Sequence, residues 1–219
     1  MSIPTIAPYP MPSQSDIPGN QVSWRAEPDR ALLLIHDMQR YFVDFFTPDE
    51  SPIKDLIDNT RRLRATAVDL GIPVAYTAQP GGMTRVQRGL LHDFWGPGMG
   101  KDPGHKAIIP ELAPGDSDTV LTKWRYSAFH RTGLKQLMDR YRRDQLIICG
   151  IYAHIGCLMT ANDAFSVDVQ PFLVADALAD FSPGEHQMAL DYAARRCAAT
   201  VSTRGLIDDL LAGTMLESA

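Results

Sequence analysis

The sequence predicts an α/β protein of three layers, a six-stranded parallel sheet with helices on both faces. Three observations carry that expectation. Six short apolar runs are separated by segments of helical period. Two of the runs, in the first and fourth strands, are apolar through their centres, as strands buried on both faces are. The segments between them open and close on helix start and stop signals.

The elements follow in order. "RALLLIHD" (30–37) reads as a fully buried strand. "SPIKDLIDNTRRLRATAVDLG" (51–71) reads as an amphipathic helix opened by Ser51 and Pro52 and closed by Gly71, and "IPVAYTAQ" (72–79) is the second strand. A Gly- and Pro-bearing excursion from Pro80 to Gly115 has aromatic residues but little periodicity, which marks it as a functional insertion. "DTVLTK" (118–123) is the third strand and "TGLKQLMDRY" (132–141) a helix. "DQLIICGIY" (144–152) is the fourth strand, leading into a helix from about Gly156 to Val167. "QPFLVADA" (170–177), a helix "SPGEHQMALDYAARRC" (182–197), the short strand "AATVST" (198–203) and a closing helix from Thr203 complete the pattern. Right-handed crossovers then place helices on both faces of a Rossmann-like sheet. Residues 1–29, rich in Pro and Ser, read as an arm strapped to the domain by Tyr9, Met11 and Trp24, so that 1–219 form one domain.

Composition narrows the function. A net charge of −5 with scattered basic residues disfavours a nucleic-acid groove, and the denser Arg61, Arg62, Arg64 and Arg142, Arg143 neighbourhoods read as solvated helix faces. Cys149, Cys157 and Cys197 are odd in number and form no CxxC pair, which suggests neither a disulfide framework nor a cysteine zinc site. No stretch reaches the roughly 18 apolar residues of a membrane span, and the N-terminus does not read as a signal peptide. A soluble cytoplasmic protein is expected. No GxGxxG or GxxxxGK[ST] follows a strand, so nucleotide binding loses its main support.

In open parallel sheets, ligands bind beyond the carboxyl ends of the strands, where strand order reverses. That rule selects Asp37, Gln79, Lys123, the segment Tyr152 to Cys157, and Asp176 and Asp180. Singly, each has a structural explanation, such as a turn cap or a buried thiol. An acid, a base and a thiol at three strand ends together favour a catalytic site.

The motifs "HDMQ", "KWRYSAF" and "GIYAHIGC" resemble the isochorismatase-like hydrolases, a superfamily that also holds amidases with an Asp, Lys and Cys triad. "YTAQP", "FWGPGM", "KWRYSAFHR" and "VADALADFS" are similar to true isochorismatases, and the likeness spans nearly the whole chain. It implies hydrolysis of the enolpyruvyl (vinyl) ether of isochorismate, as in catecholate siderophore pathways, or of its 2-amino analogue, as in phenazine pathways. Both reactions release pyruvate. It implies no cofactor and no metal: nicotinamidases bind a metal ion through an Asp and several His soon after the first strand, and this chain has no histidine between His36 and His92. It also implies a homodimer, with "FFTP" and "FWGPGM" as interface candidates, and a separate aryl carrier protein if one is used.

The resemblance also distributes roles. Protonating the vinyl carbon needs an acid, and Asp37 is expected to supply it, with burial raising its pKa. Lys123 opposes that rise unless it binds a substrate carboxylate, so Asp37 is expected to gain its proton as substrate binds. Gln39 and Phe42 are expected to shape the pocket. Gln79, Arg88 and Trp95 are expected to line it, with Arg88 on a carboxylate and Trp95 as an apolar wall. Tyr152 and the backbone at Gly156 would hold the other carboxylate or ring hydroxyls, and a cis peptide would fall at Tyr152 and Ala153. The amidases use the cysteine of this segment as nucleophile. A vinyl ether offers no carbonyl carbon to attack, so Cys157 is expected to be a pocket wall. His36 is expected to be structural, with His154 and His130 as weaker site candidates.

Overall fold

The structure, a computed structural model, describes residues 3–216. The first half of the chain forms β1 (Ala31–His36), α1 (Arg40–Val43), α2 (Ile53–Asp69), β2 (Val74–Ala78), α3 (Arg85–Arg88), α4 (Leu91–Trp95), α5 (Pro103–Lys106) and β3 (Thr119–Thr122). There follow α6 (Leu134–Tyr141), β4 (Gln145–Ile151), α7 (Leu158–Ser166), β5 (Gln170–Ala179), α8 (Pro183–Arg196), β6 (Ala199–Val201) and α9 (Thr203–Leu216).

All six strands run parallel in the order β3-β2-β1-β4-β5-β6. β1 and β4 are buried at every residue, which is why they read as unbroken apolar runs. Their alternate side chains feed two cores. Leu33, Ile35, Ile147 and Cys149 pack under α2 and α9, whereas Leu32, Leu34, Leu146 and Ile148 pack under α6, α7 and α8. The chain moves outward from β1 to β3 and then returns to lay β4 on the other side of β1. The switch point of the sheet therefore lies between the carboxyl ends of β1 and β4.

The sequence reading departs from the structure in four places. β5 runs on to Ala179, so Asp176 lies within the strand. Its carboxylate accepts from the Thr203 backbone N–H (2.6 Å) and hydroxyl (2.7 Å), capping α9 rather than facing the site. The helix expected from Gly156 begins at Leu158, after a π-type turn over Ala153–Cys157. The excursion after Gln79 contains three short α-helices and a 3-10 turn at Pro110–Leu112. One of them, α3, opens on a reciprocal capping box between Thr84 and Gln87. The non-proline cis peptide joins Ile151 to Tyr152, one bond before the expected place.

Residues 3–29 are largely irregular, and Tyr9 is one of their buried anchors, with Met11 and Trp24 partly buried. Ile6 is an anchor the sequence did not disclose. Its backbone N–H donates to Phe45 O (2.8 Å), and its side chain is 1% exposed.

Candidate active site

At the switch point a pocket of about 500 Å³, counted out to its open mouth, lies against the ends of β1, β2, β3 and β4. Asp37, Arg88 and Lys123 are the only charged side chains that line it among the described residues.

Asp37 follows β1 directly, and its backbone is left-handed (φ 51°), a conformation Asp tolerates better than most residues. The turn is held by an exchange with Thr77 on β2. The Asp37 N–H donates to Thr77 Oγ1 (3.0 Å), and the Thr77 hydroxyl donates to Asp37 Oδ1 (2.6 Å). The other carboxylate oxygen, Oδ2, lies 2.9 Å from Lys123 Nζ and accepts a long bond from Gln79 Nε2 (3.4 Å).

Lys123, just past β3, is 2% exposed, and its ammonium also donates to the backbone oxygens of Arg125 (2.7 Å) and Tyr126 (3.2 Å). With Asp37 these make three acceptors for three N–H groups. Two expectations change. Burial does push the Asp37 carboxyl upward, but the Lys123 charge and the hydrogen bonds outweigh it, so the group stands below the ordinary carboxylate range. Lys123 has no donor left over for a substrate carboxylate.

Arg88, at the end of α3, is the cation with spare donors. Nε donates to Gly96 O (3.1 Å) and Nη1 to Gln79 Oε1 (3.3 Å), leaving three N–H groups without a protein acceptor among the described residues. Gly98 (φ 74°) makes room for it, since a Cβ there would fall 2.6 Å from Arg88 Cζ. Gln79 thus bridges the acid and the arginine.

Phe42 and Trp95 line the pocket. Gln39 does not reach it. Fully buried, Gln39 clamps the backbone of Gln79, donating to Gln79 O and accepting from Gln79 N–H (2.9 and 2.7 Å). Tyr152 lines the pocket, but its hydroxyl donates to Phe42 O (2.9 Å) and is not offered to a ligand.

Gly156 lines the pocket and Cys157 does not, which corrects the reading of Cys157 as a pocket wall. The Cys157 side chain is fully buried in the core under α7 and α8. Burial, and then the Asp37 charge, push its thiol well above the ordinary value, so it stays protonated. Gly156 has no room for a side chain, because a Cβ would come 2.2 Å from the His36 ring.

His36 is buried on the far side of that contact. Its Nδ1 lies 2.9 Å from Ile151 O, and its pKa is pushed down to about 4 by burial. His154 lies outside the pocket, its Nδ1 2.6 Å from the buried carboxylate of Asp180, and His130 is exposed.

Tyr126, in the "KWRYSAF" run, is a pocket residue that the sequence reading did not assign. Its hydroxyl accepts from Trp95 Nε1 (2.8 Å), which leaves its own O–H free to donate. Ile3, Ile155 and Phe181 are further unassigned lining residues. Among the described residues no three His, Cys, Asp or Glu side chains are grouped to hold a metal ion, and no helix is long and apolar enough to cross a membrane.

The two buried histidines set an acid limit on stability. His186 is also pushed down to about 4 by burial. An unfolded histidine takes a proton near pH 6.5 and these two do so only near pH 4. Stability present above about pH 6.5 is therefore lost as pH falls toward 4. His154 works the other way. Burial lowers it, but the hydrogen bond and charge of Asp180 outweigh that and raise it. Denaturant midpoints are expected to fall from pH 7 to pH 4.5, and to fall less in His186→Gln. Equal slopes in the two proteins would count against this assignment.

The family model described as the isochorismatase domain matches residues 31–205. The chain is 60% identical over 210 residues to the isochorismatase of Bacillus subtilis, covering 96% of this chain and 67% of that one. It is 53% identical over 206 residues to phenazine biosynthesis protein PhzD1 of Pseudomonas aeruginosa, covering 94% and 99%. It is 50% identical over 207 residues to enterobactin synthase component B of Escherichia coli, covering 94% and 73%. A cysteine hydrolase from Pseudomonas syringae shares the fold, with a TM-score of 0.78 at 20% identity over 88% of this chain and 97% of that one.

Proposed function

The chain belongs to the isochorismatase family, and from that premise we propose that it hydrolyses the vinyl ether of isochorismate to 2,3-dihydro-2,3-dihydroxybenzoate and pyruvate. One observation carries the reading: Asp37 is the only carboxyl group that lines the pocket among the described residues, and no nucleophilic thiol reaches it.

The reaction begins with Asp37. Its protonated carboxyl gives H⁺ to the terminal methylene carbon, whose π electrons form the new C–H bond and leave an oxocarbenium ion. Water adds to the oxocarbenium carbon, the one that bears the ether oxygen, and returns a proton to the Asp37 carboxylate. The hemiketal then collapses, its hydroxyl proton passing to the departing ring oxygen, and pyruvate is released.

Charge balance supplies the proton. The substrate brings two carboxylates to a pocket holding two cations, Lys123 and Arg88. The occupied pocket is neutral only when Asp37 is protonated, and a net charge in a buried site is expensive. Proton uptake is thus coupled to binding. Arg88 is the natural partner of one carboxylate, while Lys123 acts as a fixed neighbour of the acid.

The second reading is hydrolysis of 2-amino-2-deoxyisochorismate to trans-2,3-dihydro-3-hydroxyanthranilate, and the PhzD1 likeness supports it nearly as well. Pyruvate release from the two substrates at equal concentration tests both, through the ratio of kcat/KM. Release from neither refutes the vinyl-ether reading. Cys157→Ala is expected to keep kcat within about twofold, because a surface or core change that touches no reacting atom leaves transition-state stabilisation alone. Abolished activity in that variant would move the protein among the amidases. A homodimer, a separate aryl carrier protein where one is used, and a cytoplasmic location belong to the same reading and rest on the family resemblance and the unpaired cysteines.

A further inference from the structure

The arm before β1 does more than cover the core. Two anchors fix its course. Ile6 bridges to Phe46, and Tyr9 accepts from the Asp180 N–H (2.7 Å) while its hydroxyl meets His186 Nδ1 (3.1 Å). The Nε2 of His186 lies 3.1 Å from Ala175 O. That makes Nε2 the protonated nitrogen and leaves Nδ1 to accept from Tyr9. From Ile6 the chain runs on to Ile3, whose side chain reaches the pocket and lines it beside Phe42, Trp95 and Phe181. Phe181 directly follows the residue that Tyr9 holds, so the arm and the aromatic wall are fastened at the same place.

We propose that Ile3 is a substrate-contacting residue, delivered by the N-terminal arm, that closes the apolar side of the pocket against bulk water. The inference rests on the vinyl-ether reading for its chemistry. Water entering beside Ile3 would solvate the Asp37 carboxylate and one or both substrate carboxylates, and so remove the reason for Asp37 to take up a proton. An apolar side chain there also packs on the ring carbons of the substrate, where a hydroxyl would leave a wet gap.

The test is Ile3→Ser beside Ile3→Val. Ile3→Ser is expected to lower kcat/KM for isochorismate about tenfold, in keeping with the loss of one apolar pocket contact. Ile3→Val is expected to stay within about threefold, and the thermal midpoint of both variants to stay close to that of the parent, because Ile6 and Tyr9 still hold the arm. A second readout needs no reaction. In a Trp24→Phe, Trp124→Phe background, Trp95 is the remaining tryptophan, and acrylamide quenching of its fluorescence in the empty protein should rise in Ile3→Ser. Quenching equal to that of the parent overturns the proposal, as does an unchanged kcat/KM. Raised quenching in a protein whose parent releases no pyruvate keeps Ile3 as the wall and refutes the vinyl-ether reading instead.

Discussion

Asp37→Asn is expected to lower kcat for pyruvate release by about 10²- to 10⁴-fold, the range that a positioned general acid contributes. The substitution keeps the shape of the side chain and an oxygen for the Thr77 hydroxyl, but removes the proton. It also leaves Lys123 buried without its counter-charge. Loss of one partner of a buried pair typically costs about 3–5 kcal/mol, so turnover has to be compared at a temperature where circular dichroism reports both proteins folded. The parent should take up a proton on binding substrate in weakly buffered solution, and Asp37→Asn should not. Tight binding by the parent with no linked proton uptake would sink the charge-balance account, whatever the effect on kcat.

Lys123→Met tests the other half of the pair. Without the ammonium, the largest influence that lowers the Asp37 pKa is gone, and burial pushes the carboxyl upward against the remaining Thr77 hydrogen bond. On the vinyl-ether reading the acid form is the active one, so kcat/KM is expected to fall as pH rises through the pKa of Asp37 in the free enzyme. In the parent that limb lies low, because Lys123 holds the carboxyl below its ordinary range. In Lys123→Met it is expected to move up by about one unit or more, the size of shift a close opposite charge produces. KM should rise about tenfold or more, since two substrate carboxylates then face Arg88 alone. A limb at the same pH in both proteins would show that Lys123 does not tune the acid.

The strand-end rule selects several of the polar residues that line this pocket. Asp37, Gln79, Lys123 and Tyr152 all stand where β1, β2, β3 and β4 end, because a parallel sheet turns every strand's carboxyl end to the same edge. Hydrogen bonds that depend on the path of a loop were not legible. Lys123 is saturated by the carbonyls of Arg125 and Tyr126, and no periodicity tells which way two peptide planes of a loop point. Gly156 and Cys157 were both expected at the pocket, and only Gly156 lines it. The chain crosses Ala153–Cys157 in a π-type turn, which apolar periodicity does not disclose. Ile3 stayed hidden because a Pro-rich arm has no repeat to read, and Asp176 was misplaced because β5 continues past the point where its apolar run seemed to stop.

The paired bonds between Thr77 and Asp37 fix the orientation of the acid. Thr77 Oγ1 is engaged by the Asp37 N–H and gives its own hydrogen to Oδ1, while Lys123 Nζ and Gln79 Nε2 lie on Oδ2. The plane of the carboxyl group is therefore held from both oxygens. A carboxyl held in one orientation can reach a flat methylene from one side only. On the vinyl-ether reading, the hydrogen that becomes part of pyruvate's methyl group enters by a single stereochemical course, chosen by a threonine that never touches the substrate.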